Sequence, residues 1–383
     1  MSEHSSGNTH RPPMRIVHVI DNLAPGGTER QCVELVRGLS RLGVRSAVFY
    51  FTPGPLLAEL DAAAIPVRAL EQASVRSVGF PARVAALARE IRRWAPDVVQ
   101  TYGFHSNVRG LLAAFLSGVP VRIAGRREFA KCLSPGQRRA DRWAWRLAHR
   151  IVANSEAVRR QLMNDERVPA AKIMVIRNGL DLQPWLGISG PHDTEADPVV
   201  GMVAHFREDK DHLTFLRAAR EVHERIPVAR FCLVGSGPLQ PAMREWAGRL
   251  GIADRVEFAG RLEAEALRAA VSRFRISVLA SKSEGLPNTV LESMAAGRPV
   301  VASAVGGTEE LLADEVTGFL VPAEQPAILA DRIVRLLKDP GLAERMGERA
   351  RHTVEREFTA DRMARQFGAL YRELLVERRG RDR

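Results

Sequence analysis

Two glutamates, two cations, a histidine and a few glycine-bearing turns are the groups in this chain whose types and spacing suit chemistry on a ligand. Glu284 and Glu292 stand in the run SEGLPNTVLE. Gly285 and Pro287 put the first on a loop, and the second falls about one turn into the helix that follows. One carboxylate near each end of a small polyhydroxylated ligand can accept hydrogen bonds from its hydroxyls; as a bare pair they also fit surface charge. In HFREDKDH, Arg207 and Lys210 follow an apolar run and open a helix, where they can neutralise a departing diphosphate or simply charge a helix start. Asp209 and Asp211 spell D-x-D in the same run, but Asp211 suits a helix cap better than a metal ligand, and no metal is expected. His105, in QTYGFHSN, follows another apolar run, placed to hydrogen-bond a transferred group or else to cap or pack. Gly26 and Gly27, with Thr28 as candidate cap, follow the first apolar run, and Gly235 and Gly237 follow a later one. Glycine lets backbone come close to a ligand and the first N–H groups of a helix favour an anion, although a tight turn needs no ligand at all. Neither loop carries the complete dinucleotide or P-loop pattern.

Short apolar runs alternating with helix-period segments must position these groups. The runs at 14–20, 45–51, 67–70, 97–101, 121–124, 150–153 and 172–176 predict seven strands, and those at 199–204, 229–235, 256–259, 276–280, 299–302 and 318–321 predict six more. Strands separated by helices make an α/β chain with parallel sheets. Around QPWLGISGPHDTEADP the periodicity is lost, which places a linker at 184–198 between domains at 14–183 and 199–358. Residues 1–13 read as a disordered polar tail, and the segment 359–383 as a terminal helix able to cross back and brace the first domain.

The chain has 383 residues, 45% hydrophobic and 26% charged, enough for two well-buried cores and typical of globular proteins. Without an apolar run long enough to span a bilayer or a secretory leader, a cytoplasmic location is expected. Cys32, Cys132 and Cys232 have no paired spacing, so all three read as reduced thiols and no zinc site is expected. The net charge of +11 is uneven: residues 121–160 hold eleven basic and three acidic side chains. Such a stretch is a solvated helix face, a surface for anionic lipid, or a contact for nucleic acid. Nucleic acid is the least expected of these, because stacking aromatics are few and no recognised binding module is present.

Taken together, the motifs resemble the family-4 retaining glycosyltransferases. The run EGLPNTVLESMAAGRPVV is similar to their E-x7-E signature, Gly26 and Gly27 to their glycine loop, Asn178-Gly179-Leu180-Asp181 to NGxD, and Gly235-Ser236-Gly237-Pro238 to GxGP. Val305-Gly306-Gly307 with Glu309 or Glu310, and Thr317 to Val321, match the segments that follow. The resemblance implies a GT-B-like α/β fold, two doubly wound Rossmann-like domains facing a cleft. It further implies a nucleotide-sugar donor, a glycan or glycolipid acceptor, no cofactor and no metal; the choice between uridine and guanosine nucleotides stays open, with a UDP-sugar favoured on general grounds alone. By position Glu284 would contact hydroxyls of the donor sugar and Glu292 the ribose, while Arg207 and Lys210 would hold the diphosphate. Gly306, Gly307 and Thr308 would offer backbone N–H groups to the same phosphates, and Gly27 would do so from the other domain. Three positions depart from the family pattern. His205 stands where an arginine is usual, with Arg207 the nearest; Tyr102 stands where a histidine is usual, three residues before His105; and Arg275 replaces an aspartate.

The leading expectation is transfer of a sugar to a hydroxyl of a lipid-linked or cell-surface glycan. The competing readings are a nucleotide-sugar epimerase and a basic protein that binds nucleic acid or an anionic membrane. Should residues 134–150 form one helix, Arg138, Arg139, Arg142, Arg146 and Arg150 share a side, with Trp143 as an interfacial anchor. That side suits the inner face of the cell membrane.

Overall fold

The computed structural model describes residues 13–71, 79–129, 133–188 and 197–381. The expected tail, most of the expected linker and Cys132 lie outside the described residues.

The first sheet contains β1 (Arg15–Asn22), β2 (Arg45–Thr52), β3 (Val67–Ala69), β4 (Val98–Thr101), β5 (Val121–Arg126), β6 (Arg150–Ala153) and β7 (Ile173–Val175), in the order β3-β2-β1-β4-β5-β6-β7. Its helices are α1 (Gly27–Arg41), α2 (Leu57–Ala62), α3 (Phe80–Trp94), α4 (Phe104–Leu116), α5 (Pro135–Leu147) and α6 (Glu156–Asn164). The second sheet contains β8 (Val199–Val203), β9 (Arg230–Val234), β10 (Val256–Gly260), β11 (Phe274–Leu279), β12 (Val300–Ser303) and β13 (Gly318–Val321), in the order β10-β9-β8-β11-β12-β13. Around it run α7 (His212–Arg225), α8 (Gln240–Arg249), α9 (Ala264–Arg273), α10 (Asn288–Ala295), α11 (Pro326–Lys338) and α12 (Pro340–Glu357), and α13 (Ala360–Arg381) ends the chain. All thirteen expected strands are present, and the chain has the expected α/β class.

Parallel strands covered by helices on both faces read as nearly unbroken apolar runs, and β1 shows why. Ile16 through Ile20 are all buried, and even His18 in their midst is fully enclosed. In each sheet the strand order reverses beside its first strand, between β1 and β4 and between β8 and β11. Ligands of open α/β sheets bind outside the carboxyl ends of strands at such a reversal. After β1 and β4 the chain carries Gly26 in the loop and Gly27 and His105 in the first turns of α1 and α4; the segments after β8 and β11 carry Arg207, Lys210 and Glu284.

Contacts divide the chain into two compact units. One runs to Gly125 and takes in Pro135–Ile151 and the chain from Ala364; the other comprises Arg126–Ser134 and Val152–Met363. Within the first, the hydroxyl of Tyr371 on α13 donates to Gln100 on β4, and Glu377 pairs with Arg150 at 3.3 Å. Within the second, the Leu180 N–H donates to Phe358 and its carbonyl accepts from Ala360, which ties the NGLD turn to the start of α13.

Two local expectations are corrected. Helix α1 starts at Gly27 with Gly26 as N-cap, so Thr28 lies inside the first turn and caps nothing. Helix α5 stops at Leu147 because the His149 N–H turns to the carbonyl of Arg122; Arg150 therefore belongs to β6 and leaves the proposed basic face.

Candidate functional site

The second unit gathers most of the candidate residues at the β8/β11 reversal. After β8, a short 3-10 turn at Glu208–Lys210 ends at Asp211, which adopts a left-handed conformation (φ 47°). Its carboxylate accepts from the N–H and hydroxyl of Thr214, capping α7. That break swings Lys210 off the helix and toward the loop after β11, where its Nζ donates to Oε1 of Glu284 at 2.6 Å. The same oxygen accepts the hydroxyl of Ser281 at 2.6 Å. Backbone joins the two loops as well, since the Lys282 N–H donates to the carbonyl of Asp209 at 2.8 Å. Glu284 is 7% exposed, so its ion pair is shielded from water and poorly screened, a setting where charge acts strongly.

Arg207 is exposed and grips Asp209 with two nitrogens, at 3.1 and 3.0 Å. The D-x-D pair is thus divided between a guanidinium partner and a helix cap. Among the described residues there is no group of three His, Cys, Asp or Glu side chains arranged for a metal ion. His205, at the family's arginine position, is exposed with Nδ1 3.4 Å from the Ser236 carbonyl. Glu292 is the fifth of the eight residues of α10, just over one turn in, and half-buried.

The loop bearing Glu284 is held from beneath by a stack of close backbone contacts. A Cβ at Gly285 would overlap the carbonyl of Arg127, and one at Gly307 would overlap the carbonyl of Gly285. Asn178, from the NGLD turn, donates to the Leu286 carbonyl at 2.9 Å and to Oδ1 of Asn288 at 2.7 Å, and accepts from Arg127. Asn154 donates to the Arg127 carbonyl at 3.0 Å. Glu310 accepts from the Ala157 N–H, at the start of α6, and from Arg177.

This stack changes the part expected of the following glycines. The Gly307 N–H donates to the Glu284 carbonyl at 3.2 Å and the Thr308 N–H to the Val305 carbonyl at 3.1 Å. Both amides are therefore engaged inside the chain rather than presented to a diphosphate, because Gly306 (φ 56°) turns the backbone down onto Glu284. Gly235 and Gly237 are likewise used against the chain itself: side chains there would press on the carbonyls of Ala204 and Phe206 in the loop carrying Arg207.

In the first unit, the carboxylate of Asp21 caps α4, accepting from the N–H of His105 at 3.1 Å and of Ser106 at 2.6 Å. His105 keeps an exposed ring at that helix start. Tyr102, at the position of the family's usual histidine, turns inward to Nδ1 of His18 at 2.6 Å. Burial pushes the pKa of His18 down to about 3. At the glycine loop, Asn22 draws in Glu29 at 2.8 Å, and an oxygen of that carboxylate lies where a Gly26 side chain would begin. Gly27 itself is exposed. On α5, Arg138, Arg139, Arg142 and Arg146 are exposed along one side, with Trp143 46% exposed among them.

Residues 25–184 match the family described as Glycosyltransferase Family 4, and residues 190–353 match the one described as Glycosyl transferases group 1. The chain belongs to the family-4 glycosyltransferases. It is 33% identical to the alpha-D-kanosaminyltransferase of Streptomyces kanamyceticus over 177 residues, 46% of each chain. It is 28% identical to the D-inositol 3-phosphate glycosyltransferase of Kribbella flavida over 371 residues, 85% of each. The chain thus spans about half the length of the first of these relatives and most of the second. The structure of Anabaena HepE in complex with UDP and glucose superposes with a TM-score of 0.82 at 21% identity, covering 94% of this chain and 100% of that one. The fold is that of the GT-B glycosyltransferases, with two Rossmann-like parallel-sheet domains.

Several supports escaped the sequence reading. Asp21, Asn154, Arg127 and Ser281 act through bonds to residues far along the chain or across a loop, and only Ser281, three residues before Glu284, carried a local cue.

Proposed function

We propose that this family-4 glycosyltransferase moves a sugar from a nucleoside diphosphate donor to an acceptor hydroxyl, with retention of anomeric configuration and without a metal. The observation that carries the reading is the contact between Lys210 and Glu284 at the β8/β11 reversal, a cation suited to diphosphate beside a carboxylate suited to sugar hydroxyls. In the reaction, the bond from the anomeric carbon to the diphosphate oxygen breaks and a bond to the acceptor oxygen forms on the same face. The acceptor proton passes to the departing phosphate. Lys210 and Arg207 stabilise the charge that grows on the leaving group, so they favour the transition state over the intact donor. Glu284 accepts from hydroxyls of the sugar and Glu292 from the ribose. His105, Gly26 and Gly27 are the first unit's candidates for the transferred sugar and the phosphates. Preference for a UDP-sugar is supported by the UDP and glucose bound in the structurally similar HepE. The acceptor is a lipid-linked or cell-surface glycan, and the exposed Arg138, Arg139, Arg142 and Trp143 hold the enzyme at an anionic membrane face.

A thermal-shift panel of uridine, guanosine, adenosine and thymidine diphosphates and their sugars, with and without magnesium, tests the reading. A shift with one base, unchanged by chelator, is expected. No shift with any nucleotide, beside a clear response to oligonucleotide, would favour a binding protein instead; sugar conversion in the absence of acceptor would favour an epimerase.

A further inference from the structure

The Glu284 carboxylate is held asymmetrically. Oε1 accepts both Lys210 and Ser281, each at 2.6 Å, while Oε2 accepts no hydrogen bond from any described residue. Ser281, two residues beyond β11, is fully buried and has no solvent to trade its hydroxyl for. Resting on the donor-binding reading above, we propose that Ser281 is the positioning residue of the sugar subsite. Its hydroxyl holds Oε1 so that Oε2 is the oxygen presented to the donor sugar.

The need for a second anchor follows from the first. Lys210 is also the cation that a diphosphate would attract, and Asp209 lies 3.8 Å from the same ammonium. As phosphate arrives, the ammonium shifts its donors among competing anions. A carboxylate oriented by Lys210 alone would turn with it, and the sugar would lose its register as the leaving group is gripped. Ser281 has no such competitor and fixes the carboxylate through a charge-assisted bond, the stronger kind of hydrogen bond. The phosphate contact and the sugar contact thereby become separable although they share a lysine. Precise orientation of this kind is what side chains behind a site contribute to rate.

The test compares wild type, Ser281→Ala, Glu284→Ala and the double variant, using the nucleoside diphosphate and matching nucleotide sugar selected by the thermal-shift panel. Ser281→Ala is expected to bind the nucleoside diphosphate as wild type does, while its kcat/KM for the nucleotide sugar falls about tenfold. Added to Glu284→Ala, the serine change is expected to cost nothing more, because it acts through the missing carboxylate. Equal kcat/KM for wild type and Ser281→Ala would overturn the proposal, as would additive losses in the double variant or equal loss of diphosphate binding. A wild type that engages no nucleotide would instead overturn the functional reading on which it rests.

Discussion

The side-chain nitrogen of Asn178 donates to Oδ1 of Asn288 at 2.7 Å, joining two turns separated by 110 residues. The same amide takes the Leu286 carbonyl and a nitrogen of Arg127, so one buried side chain clamps the loop between Glu284 and α10. Replacing it with alanine leaves several buried polar groups without partners. Asn178→Ala is expected to lose about 2 kcal/mol of stability and to lower nucleotide-sugar turnover although Asn178 touches no ligand. Denaturant titration together with kcat measurement checks both; unchanged values would show the clamp to be dispensable.

The contact of Gly307 with Gly285 leaves no room for a methyl group. Gly307→Ala is expected to push the Glu284 loop outward and reduce turnover more than it reduces melting temperature, because the strain falls locally on that loop. Gly136, with open space around its backbone, supplies the control, and Gly136→Ala should leave both unchanged. Equal effects of the two substitutions would contradict the stacked arrangement.

Two buried histidines make the fold acid-sensitive. Burial lowers the pKa of His18 to about 3 and of His212 to about 4 in the folded state, from the 6.5 ordinary for histidine. The unfolded chain therefore binds protons first as pH falls, so stability is complete above about 6.5 and declines below it. For His212 the loss amounts to about 3 kcal/mol by pH 4. His212 stacks on Phe206 at 4.1 Å, so His212→Phe is a fitting apolar replacement. Melting temperatures from pH 7 to pH 5 should fall less steeply in that variant than in wild type; parallel slopes would remove His212 as a cause.

The exposed side of α5 provides the membrane prediction. Wild type should sediment with vesicles containing phosphatidylserine and leave neutral vesicles in the supernatant. Replacing Arg138, Arg139 and Arg142 together by alanine should weaken that binding about a hundredfold, at about 1 kcal/mol per basic group. Equal partitioning to both vesicle types, or no change in the triple variant, would dispose of the membrane role.

The fold was largely legible because its information is local. Strands such as β1 and β8 are short apolar runs, and helices between them carry their own period, so each element announces itself. The candidate site was legible in residue type but not in its bonding. Glu284, Lys210 and Arg207 stood out as charged groups beside glycines and strand ends. What the sequence could not show was where backbone amides point: Gly307 and Thr308 looked like phosphate donors until the packing of Gly306 on Glu284 engaged both N–H groups. Thr28 looked like a cap because threonine favours that place, whereas the cap is Gly26, two residues earlier, and the helix begins at Gly27. Asn178 and Asp21 gain their meaning only from partners far along the chain.

Calorimetric titration of wild type, Lys210→Ala and Glu284→Ala with a nucleoside diphosphate and its matching nucleotide sugar tests the central claim most directly. Wild type should bind both ligands without added metal. Lys210→Ala should lose about a hundredfold in affinity for both, whereas Glu284→Ala should keep the nucleoside diphosphate and lose the additional affinity supplied by the sugar. Indistinguishable binding by all three proteins, or no nucleotide bound by wild type, would contradict the account.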